Sequence, residues 1–221
     1  MILQIDTTSE ICSASIAQHG KLLYEQQEAQ PNSHARQLTT LIHQVMQDAG
    51  VDFQQISAIA VSNGPGSYTG LRIGASVAKG ICLATGLPLI AVPTIKALTS
   101  VAITRFQADN ALFLGLIDAR RNDAYYAIYD GNLNCITTDS FTELDDFFWN
   151  SVRRFERPVA IFGDAEKKIN LLQIKGFGTI IGSVKTLSSN LSAPAAQYLE
   201  NKNFVDARYY EPFYLKSFGT K

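Results

Sequence analysis

Asn63-Gly64-Pro65-Gly66-Ser67-Tyr68-Thr69-Gly70-Leu71-Arg72-Ile73-Gly74 follows an apolar, β-branched run, Ile59-Ala60-Val61, and precedes a proline-free apolar stretch from Ile73 to Leu83. That order predicts a strand, a glycine-rich turn and a helix. Glycines at 64, 66 and 70 permit positive φ and let backbone amides approach a partner closely. The N-terminus of the following helix adds partial positive charge suited to an anion. Ser67 or Thr69 is placed to cap it. An anion cradle and a plain tight turn both satisfy this pattern. The common nucleotide fingerprints are absent. A P-loop needs Lys and then Ser/Thr after its last Gly, and here Leu71-Arg72 follows. Gly64-x-Gly66 is followed by Gly70, one residue off the dinucleotide spacing.

Outward from this segment the chain reads as alternating strands and helices. Strands are expected at residues 1–8, 12–17 and 22–29, with a hairpin turn at His19-Gly20-Lys21 and Asp6 near the end of the first. A helix opens at Pro31-Asn32-Ser33 and runs to Ala49 and Gly50, with Leu38, Leu41, Ile42, Val45 and Met46 at helical spacing. Strand 56–61, the glycine loop with its helix to about 85, strand 89–92 and a helix from 94 to about 105 follow. The pattern then restarts: strand 112–117 ending in Asp118, strands 124–129 and 133–138 about a turn at Asp130-Gly131-Asn132, helix 142–154 and strand 159–162. The Asp6-to-Gly20 and Asp118-to-Gly131 spacings nearly match. The expected fold is therefore α/β, two diverged βββαβαβ subdomains of actin/Hsp70/sugar-kinase-like (ASKHA) type. The expected divisions are 1–107, 108–207 and a segment 208–221 docking back on the N-terminal half.

The chain has 221 residues, 46% apolar and 18% charged, with formal net charge -1. It is long enough to bury a full core. Lys167-Lys168 is the nearest approach to a basic block, which disfavours strong direct nucleic-acid binding by this chain alone. Cys12, Cys82 and Cys135 are far apart and odd in number, which suggests neither zinc nor a disulfide framework but buried thiols in a reducing cytoplasm. The most apolar stretch, 73–92, is interrupted by Lys79, Gly80, Gly86 and Pro88, so no membrane association is expected. His34 and His43 are nine residues apart and lie on opposite sides of one helix, so no metal site is expected.

Four segments together resemble the bacterial TsaB family, also called YeaZ: Ile5-Asp6-Thr7-Thr8, Gly64-Pro65-Gly66-Ser67-Tyr68-Thr69-Gly70-Leu71-Arg72-Ile73-Gly74, Ile117-Asp118-Ala119-Arg120 and Glu211-Pro212-Phe213-Tyr214-Leu215-Lys216. The second is the most specific. The resemblance implies a non-catalytic subunit in formation of N6-threonylcarbamoyladenosine at position 37 of tRNAs reading ANN codons. It implies a TsaD-type catalytic paralogue and a TsaE-type ATPase as partners, self-association as a homodimer, and tRNA met only through the complex. In the catalytic paralogue an H-x-x-x-H helix follows the strand that here is 89–92. This chain has Pro93-Thr94-Ile95-Lys96-Ala97-Leu98 there. No catalytic residue and no tightly bound cofactor is implied, with ATP or ADP held only at a partner interface. Asp6, Thr7, Thr8, Ser9, Asp118 and Arg120 would form a degenerate phosphate loop, since the second turn carries arginines in place of Gly, Thr and Ser.

The helix after the glycine loop is apolar nearly all round, so it must be covered on more than one side. Gly70, Gly74 and Ala78 make a smooth stripe. Burial within the domain and an interface both account for it. In the family reading the interface comprises Gly64, Gly66, Ser67, Tyr68, Gly70, Arg72, Gly74, Val77 and Ala78, with Leu38, Leu41 and Ile42 of the preceding helix. Gly74→Leu is then expected to block association and spare the fold. Arg72 in the first turn opposes the helix dipole and is expected to pair with a carboxylate or anion. The aromatic end, residues 209–215, fits an interface or docking on its own N-terminal half. Rival readings are an ATP-dependent small-molecule kinase of the same fold, a metal-independent peptidase, and a homodimeric nucleotide-binding module. The kinase needs a second phosphate loop. The peptidase needs a nucleophile elbow, and the glycines about Ser67 are spaced wrongly for one.

Overall fold

The computed structural model describes residues 1–30, 33–108, 110–182 and 184–215. The expected helix start at Pro31-Asn32 and the end of the Glu211–Lys216 motif at Lys216 lie outside them. The first sheet is built from β1 (Ile2–Asp6), β2 (Cys12–Gln18), β3 (Lys21–Glu28), β4 (Ala58–Ser62) and β5 (Leu89–Val92), in the order β3-β2-β1-β4-β5. β1, β2 and β3 pair antiparallel, whereas β1, β4 and β5 pair parallel. Connections between the parallel strands are α1 (His34–Ala49) and α2 (Tyr68–Thr85), as parallel pairing demands. α3 (Thr94–Arg105) follows β5.

The order then repeats. β6 (Leu112–Asp118), β7 (Asp123–Asp130), β8 (Cys135–Glu143), β9 (Val159–Phe162) and β10 (Gly178–Ile180) form a sheet ordered β10-β9-β6-β7-β8, with the same senses of pairing. The copies diverge in their crossovers. α4 (Asp146–Arg153) stands where α1 does, but a short 3-10 turn, Asp164–Lys168, replaces the long α2. The expected helix 142–154 begins four residues late. β8 continues to Glu143, and the helix opens where the Asp145 carboxylate accepts from Phe148 N at 2.8 Å, an N-cap.

Alternation along the strands gives the first sheet two apolar faces. Leu3, Ile5, Ile16, Ile59 and Val61 face α1 and α2, while Ile2, Ala58, Ala60, Ile90 and Val92 pack with Leu191 and Ala195 of the closing segment. The latter belongs to η-turn 188–191 and to α5 (Ser192–Glu200). In the second sheet Leu112, Leu114, Leu116 and Ile161 cluster with Phe148, Trp149 and Val152 of α4.

The chain divides into two compact units, one of Met1–Ala97 with Thr186–Tyr214 and one holding Leu98–Lys185. The expected boundary at 207 thus moves to 185, because residues 186–214 are bound to the first sheet by polar groups. Ser15 and Ser192 hydroxyls meet the side chain of buried Gln4 at 2.9 and 3.1 Å. Ser188 N donates to Ser13 Oγ at 2.8 Å, and Glu25 Oε1 accepts from Ser188 Oγ and Ser189 N. Val205 then bridges the open edge of β5 at Leu89. No helix among the described residues is long and apolar enough to cross a membrane.

Candidate functional site

The glycine loop and the turn after β1 are one construction. Asp6 is buried at the end of β1. Its Oδ1 accepts from Thr8 N and Thr8 Oγ1, both at 3.0 Å, and its Oδ2 accepts from Ser62 Oγ at the end of β4. Loss of hydration raises its pKa above the ordinary carboxylate value, while the bonds from Ser62 and Thr8 act the other way. Thr7 Oγ1 donates to Gly70 O at 2.7 Å, and Ser67 N donates to Thr8 O at 2.8 Å. Ser9 Oγ accepts from Ile11 N, and its carbonyl meets His34 Nε2 at 3.0 Å.

These contacts explain the glycines. A Cβ on Gly66 would stand 2.6 Å from Thr8 Cβ, one on Gly74 2.5 Å from Thr7 Oγ1, and one on Gly70 would overlap the Thr7 carbonyl. Only Gly64 of the loop has positive φ, at 102°. Gly66, Gly70 and Gly74 are therefore required by close approach of α2 to the chain's own β1 turn. Ser67 is the cap, its Oγ accepting from Gly70 N at 3.3 Å.

This geometry corrects the partner-facing set. Gly64, Gly70, Gly74 and Ala78 are buried inside the unit, as are Leu38, Leu41 and Ile42. They pack within the core between the sheet, α1 and α2. A bulky residue at 74 would break the seat on Thr7 rather than spare the fold. The outward side of α2 is the row at i, i+3, i+4: Thr69, Arg72, Ile73, Ser76 and Val77. With Ala35 of α1 and Tyr68 it lines an open, largely apolar groove. Ala35, Thr69, Ile73 and Ser76 are absent from the expected partner-facing set, although their spacing along the helices carries them. Gly66, Ser67 and Tyr68 remain partly accessible at the head of α2.

Arg72 lies on this rim. Among the described residues no carboxylate is within salt-bridge distance of it, contrary to the expected ion pair. Its guanidinium carbon sits 5.3 Å from the Tyr68 ring centroid, and Nη1 donates to Tyr68 OH at 3.2 Å. The Tyr68 ring packs on Tyr214 with centroids 4.9 Å apart. The aromatic end thus lies on the first unit. Tyr210 is buried in its core, donates from its hydroxyl to Asn63 Oδ1 at 3.0 Å and accepts at its carbonyl from Lys79 Nζ at 2.8 Å. Phe213 N donates to Asn63 O at 2.8 Å.

In the second unit, Asp118 closes β6 and Arg120 lies in the turn between β6 and β7. Asp118 Oδ1 accepts from Arg120 N at 2.6 Å and from Lys168 Nζ at 2.7 Å. Partial desolvation works to raise its pKa, but the Lys168 and Arg120 bonds outweigh it and the pKa falls below the ordinary value. Arg120 and Arg121 are exposed and adopt φ of 72° and 48°, unusual for residues with a Cβ. Lys168, which anchors this turn, gave no local sequence signal beyond its charge.

A five-stranded sheet of mixed sense, repeated twice with an aspartate closing the first strand of each copy, defines an α/β protein of the actin, Hsp70 and sugar-kinase-like class. The model of the family "TsaD: tRNA N6-adenosine threonylcarbamoyltransferase" matches residues 24–180. The tRNA threonylcarbamoyladenosine biosynthesis protein TsaB of Haemophilus influenzae is 32% identical over 126 residues, 57% of this chain and 52% of that protein. The protein of the same name from Escherichia coli is 33% identical over 142 residues, 64% of this chain and 60% of that one. The chain thus spans about half to three-fifths of the length of these curated relatives. YeaZ from Pseudomonas aeruginosa shares the fold with a TM-score of 0.78 at 22% identity, over 97% of this chain and 99% of that chain. The chain belongs to the TsaB/YeaZ family, within the wider family that the TsaD model describes.

Proposed function

We propose that the chain is a non-catalytic subunit that binds and activates a TsaD-type threonylcarbamoyltransferase in formation of N6-threonylcarbamoyladenosine at position 37 of tRNAs reading ANN codons. The observation that carries this reading is the open apolar groove over α1 and α2 in a chain matched by the model of the transferase family itself. Ile73 and Val77 are apolar, half-exposed and adjacent there, as a helix-packing interface requires. A TsaE-type ATPase joins the assembly, the chain self-associates as a homodimer when the transferase is absent, and tRNA is met through the complex in the cytoplasm.

The absence of chemistry of its own is supported by the state of the first turn. The carboxylate of Asp6 and the hydroxyls of Thr7 and Thr8 are committed to Ser62, Gly70 and one another. The glycine loop at Gly66 packs directly on Thr8, and α2 at Gly70 and Gly74 packs directly on Thr7. ATP or ADP is then held only where a partner completes the site.

The test is mass spectrometry of total tRNA nucleosides from cells depleted of this protein, with the adenylate synthase and the transferase still present. Loss of threonylcarbamoyladenosine is expected. Unchanged levels would remove the chain from the pathway.

A further inference from the structure

We propose that Arg120 and Arg121, at the tip of the β6–β7 hairpin, bind the phosphodiester backbone of RNA. This rests on the partner reading above and gives the chain a contact of its own with the tRNA that the complex modifies.

The tip is strained and rigidly held. Two successive arginines have φ of 72° and 48°, a region that Gly, Asn and Asp enter at least cost. The turn is tied down on every side within its unit. Asp118 Oδ1 accepts from Arg120 N and Lys168 Nζ, and Lys168 Nζ also donates to Asp123 O at 2.9 Å. Asp118 N donates to Asp164 Oδ1 at 2.7 Å, and Ala119 N donates to Asp123 O at 3.2 Å. Asn122 and Leu144 exchange two bonds, Nδ2 to O at 3.3 Å and N to O at 3.0 Å. Backbone strain persists where the surroundings over-determine it, and it gathers at functional sites.

Neither arginine serves the fold. Both side chains are exposed, and neither salt bridge among the described residues involves them. Acids stand nearby, but they hold the turn rather than the guanidiniums. Asp118 is committed to Lys168 and the Arg120 amide, Asp164 Oδ1 to the Asp118 amide, and Glu166 Oε2 is buried. Asp123 and Glu143 face each other across β7 and β8, and neither is within salt-bridge distance of Arg120 or Arg121. Each guanidinium therefore presents a planar fork of donors suited to a phosphate. Residues 120–122 are exposed. A small nucleotide is held by enclosure, whereas a chain of phosphates is held by separate contacts to exposed cations. With a formal net charge of -1, this chain adds one local contact to an RNA surface that the partner mostly supplies.

The experiment titrates tRNA of the same organism onto the full chain assembled with its TsaD-type transferase, over a series of salt concentrations. It compares the parent, the double variant Arg120→Gln with Arg121→Gln, the double variant Arg120→Lys with Arg121→Lys, and Arg121→Gly. The Gln pair is expected to lose about fivefold in tRNA affinity for each phosphate contact removed, with the salt slope reduced by about 0.7–0.9 per contact. The Lys pair should keep the slope and most of the affinity. Arg121→Gly should bind tRNA less tightly yet raise Tm by about 2–4 °C, because glycine relieves the left-handed backbone. Equal affinity and slope for the parent and the Gln pair would overturn the proposal. So would weakening of the protein–protein complex with tRNA affinity unchanged, which would assign the tip to an acidic protein surface, or displacement of tRNA from the tip by ATP, which would assign it to a nucleotide. If the parent forms no complex with the transferase, the partner reading fails. The tip is then judged on the chain alone at low salt, where loss of tRNA binding in the Gln pair supports it and equal binding refutes it.

Discussion

Gly74→Ala and Gly80→Ala are the same substitution on the same helix, and the structure gives them opposite signs. Both residues lie inside α2, where alanine is favoured over glycine by about 1 kcal/mol. A Cβ on Gly80 meets nothing within 4 Å, so Gly80→Ala is expected to stabilise by about that amount. A Cβ on Gly74 would lie 2.5 Å from Thr7 Oγ1 and 3.6 Å from Val61 Cγ2. Thr7 is buried, and Oγ1 is tied to Gly70 O at 2.7 Å, so relief means breaking that bond, at about 1 kcal/mol, or shifting the backbone. Overpacking costs about 1–3 kcal/mol more. Net of the helix gain, Gly74→Ala should destabilise by about 1–3 kcal/mol. For a chain of this length each kcal/mol moves Tm by about 2–4 °C, which separates the two variants by on the order of 10 °C. Thermal unfolding followed by circular dichroism reads this directly. A Gly74→Ala variant as stable as Gly80→Ala would refute the inward seat of α2 on the β1 turn.

Three further outcomes are expected. Asp139, at the bulge of β8, has a buried Oδ1 with no hydrogen-bond partner, and desolvation pushes its pKa up to about 7. A carboxyl whose folded pKa is raised stabilises below its unfolded pKa and loses that contribution as pH rises. The parent should therefore lose stability from about pH 4 to about 7, and Asp139→Asn should flatten that profile and be more stable at pH 8 by about 1–3 kcal/mol; parallel Tm curves would count against it. Tyr210→Phe should cost about 1 kcal/mol through the bond to Asn63, and Tyr210→Ala about 3–5 kcal/mol, measured by urea unfolding, with equal costs for the two excluding the packing argument. Lys168→Met should return the Asp118 pKa toward the ordinary carboxylate value in an NMR titration, while changing stability by less than about 1 kcal/mol because the pair is partly exposed.

The strand and helix sequence was legible because both copies announce themselves by apolar runs bounded by glycine and by aspartate at a strand end. The Asn63–Gly74 string disclosed its strand, its loop and its cap at Ser67. Its glycines were misread in one respect. Spacing places Gly70, Gly74 and Ala78 on a single side of a helix, but on a helix apolar all round it does not say which side meets the sheet. The return of residues 186–214 to the first unit was not legible either. It depends on Gln4, Ser13 and Glu25 meeting Ser188, Ser189 and Ser192, and serines 163 to 188 residues away in sequence carry no periodic signal. Arg72 was legible as a misplaced charge but not as a stacked one, because Tyr68 lies a turn before it in sequence while Tyr214 comes from the far end.

The first unit is made of two stretches separated by residues 98–185, and this sets an order on synthesis. When Ala97 leaves the ribosome, the face of the first sheet that Leu191 and Ala195 will cover is still bare, and Gln4 lacks its serine at 192. Chains grow at roughly 5–20 residues per second, so that face waits for several seconds while the inserted unit is made. The second unit is contiguous over this span and is able to fold during the wait. The nascent first sheet, not the second, is therefore the part of the molecule most exposed to premature association, and its completion comes only once residues 186–214 are made.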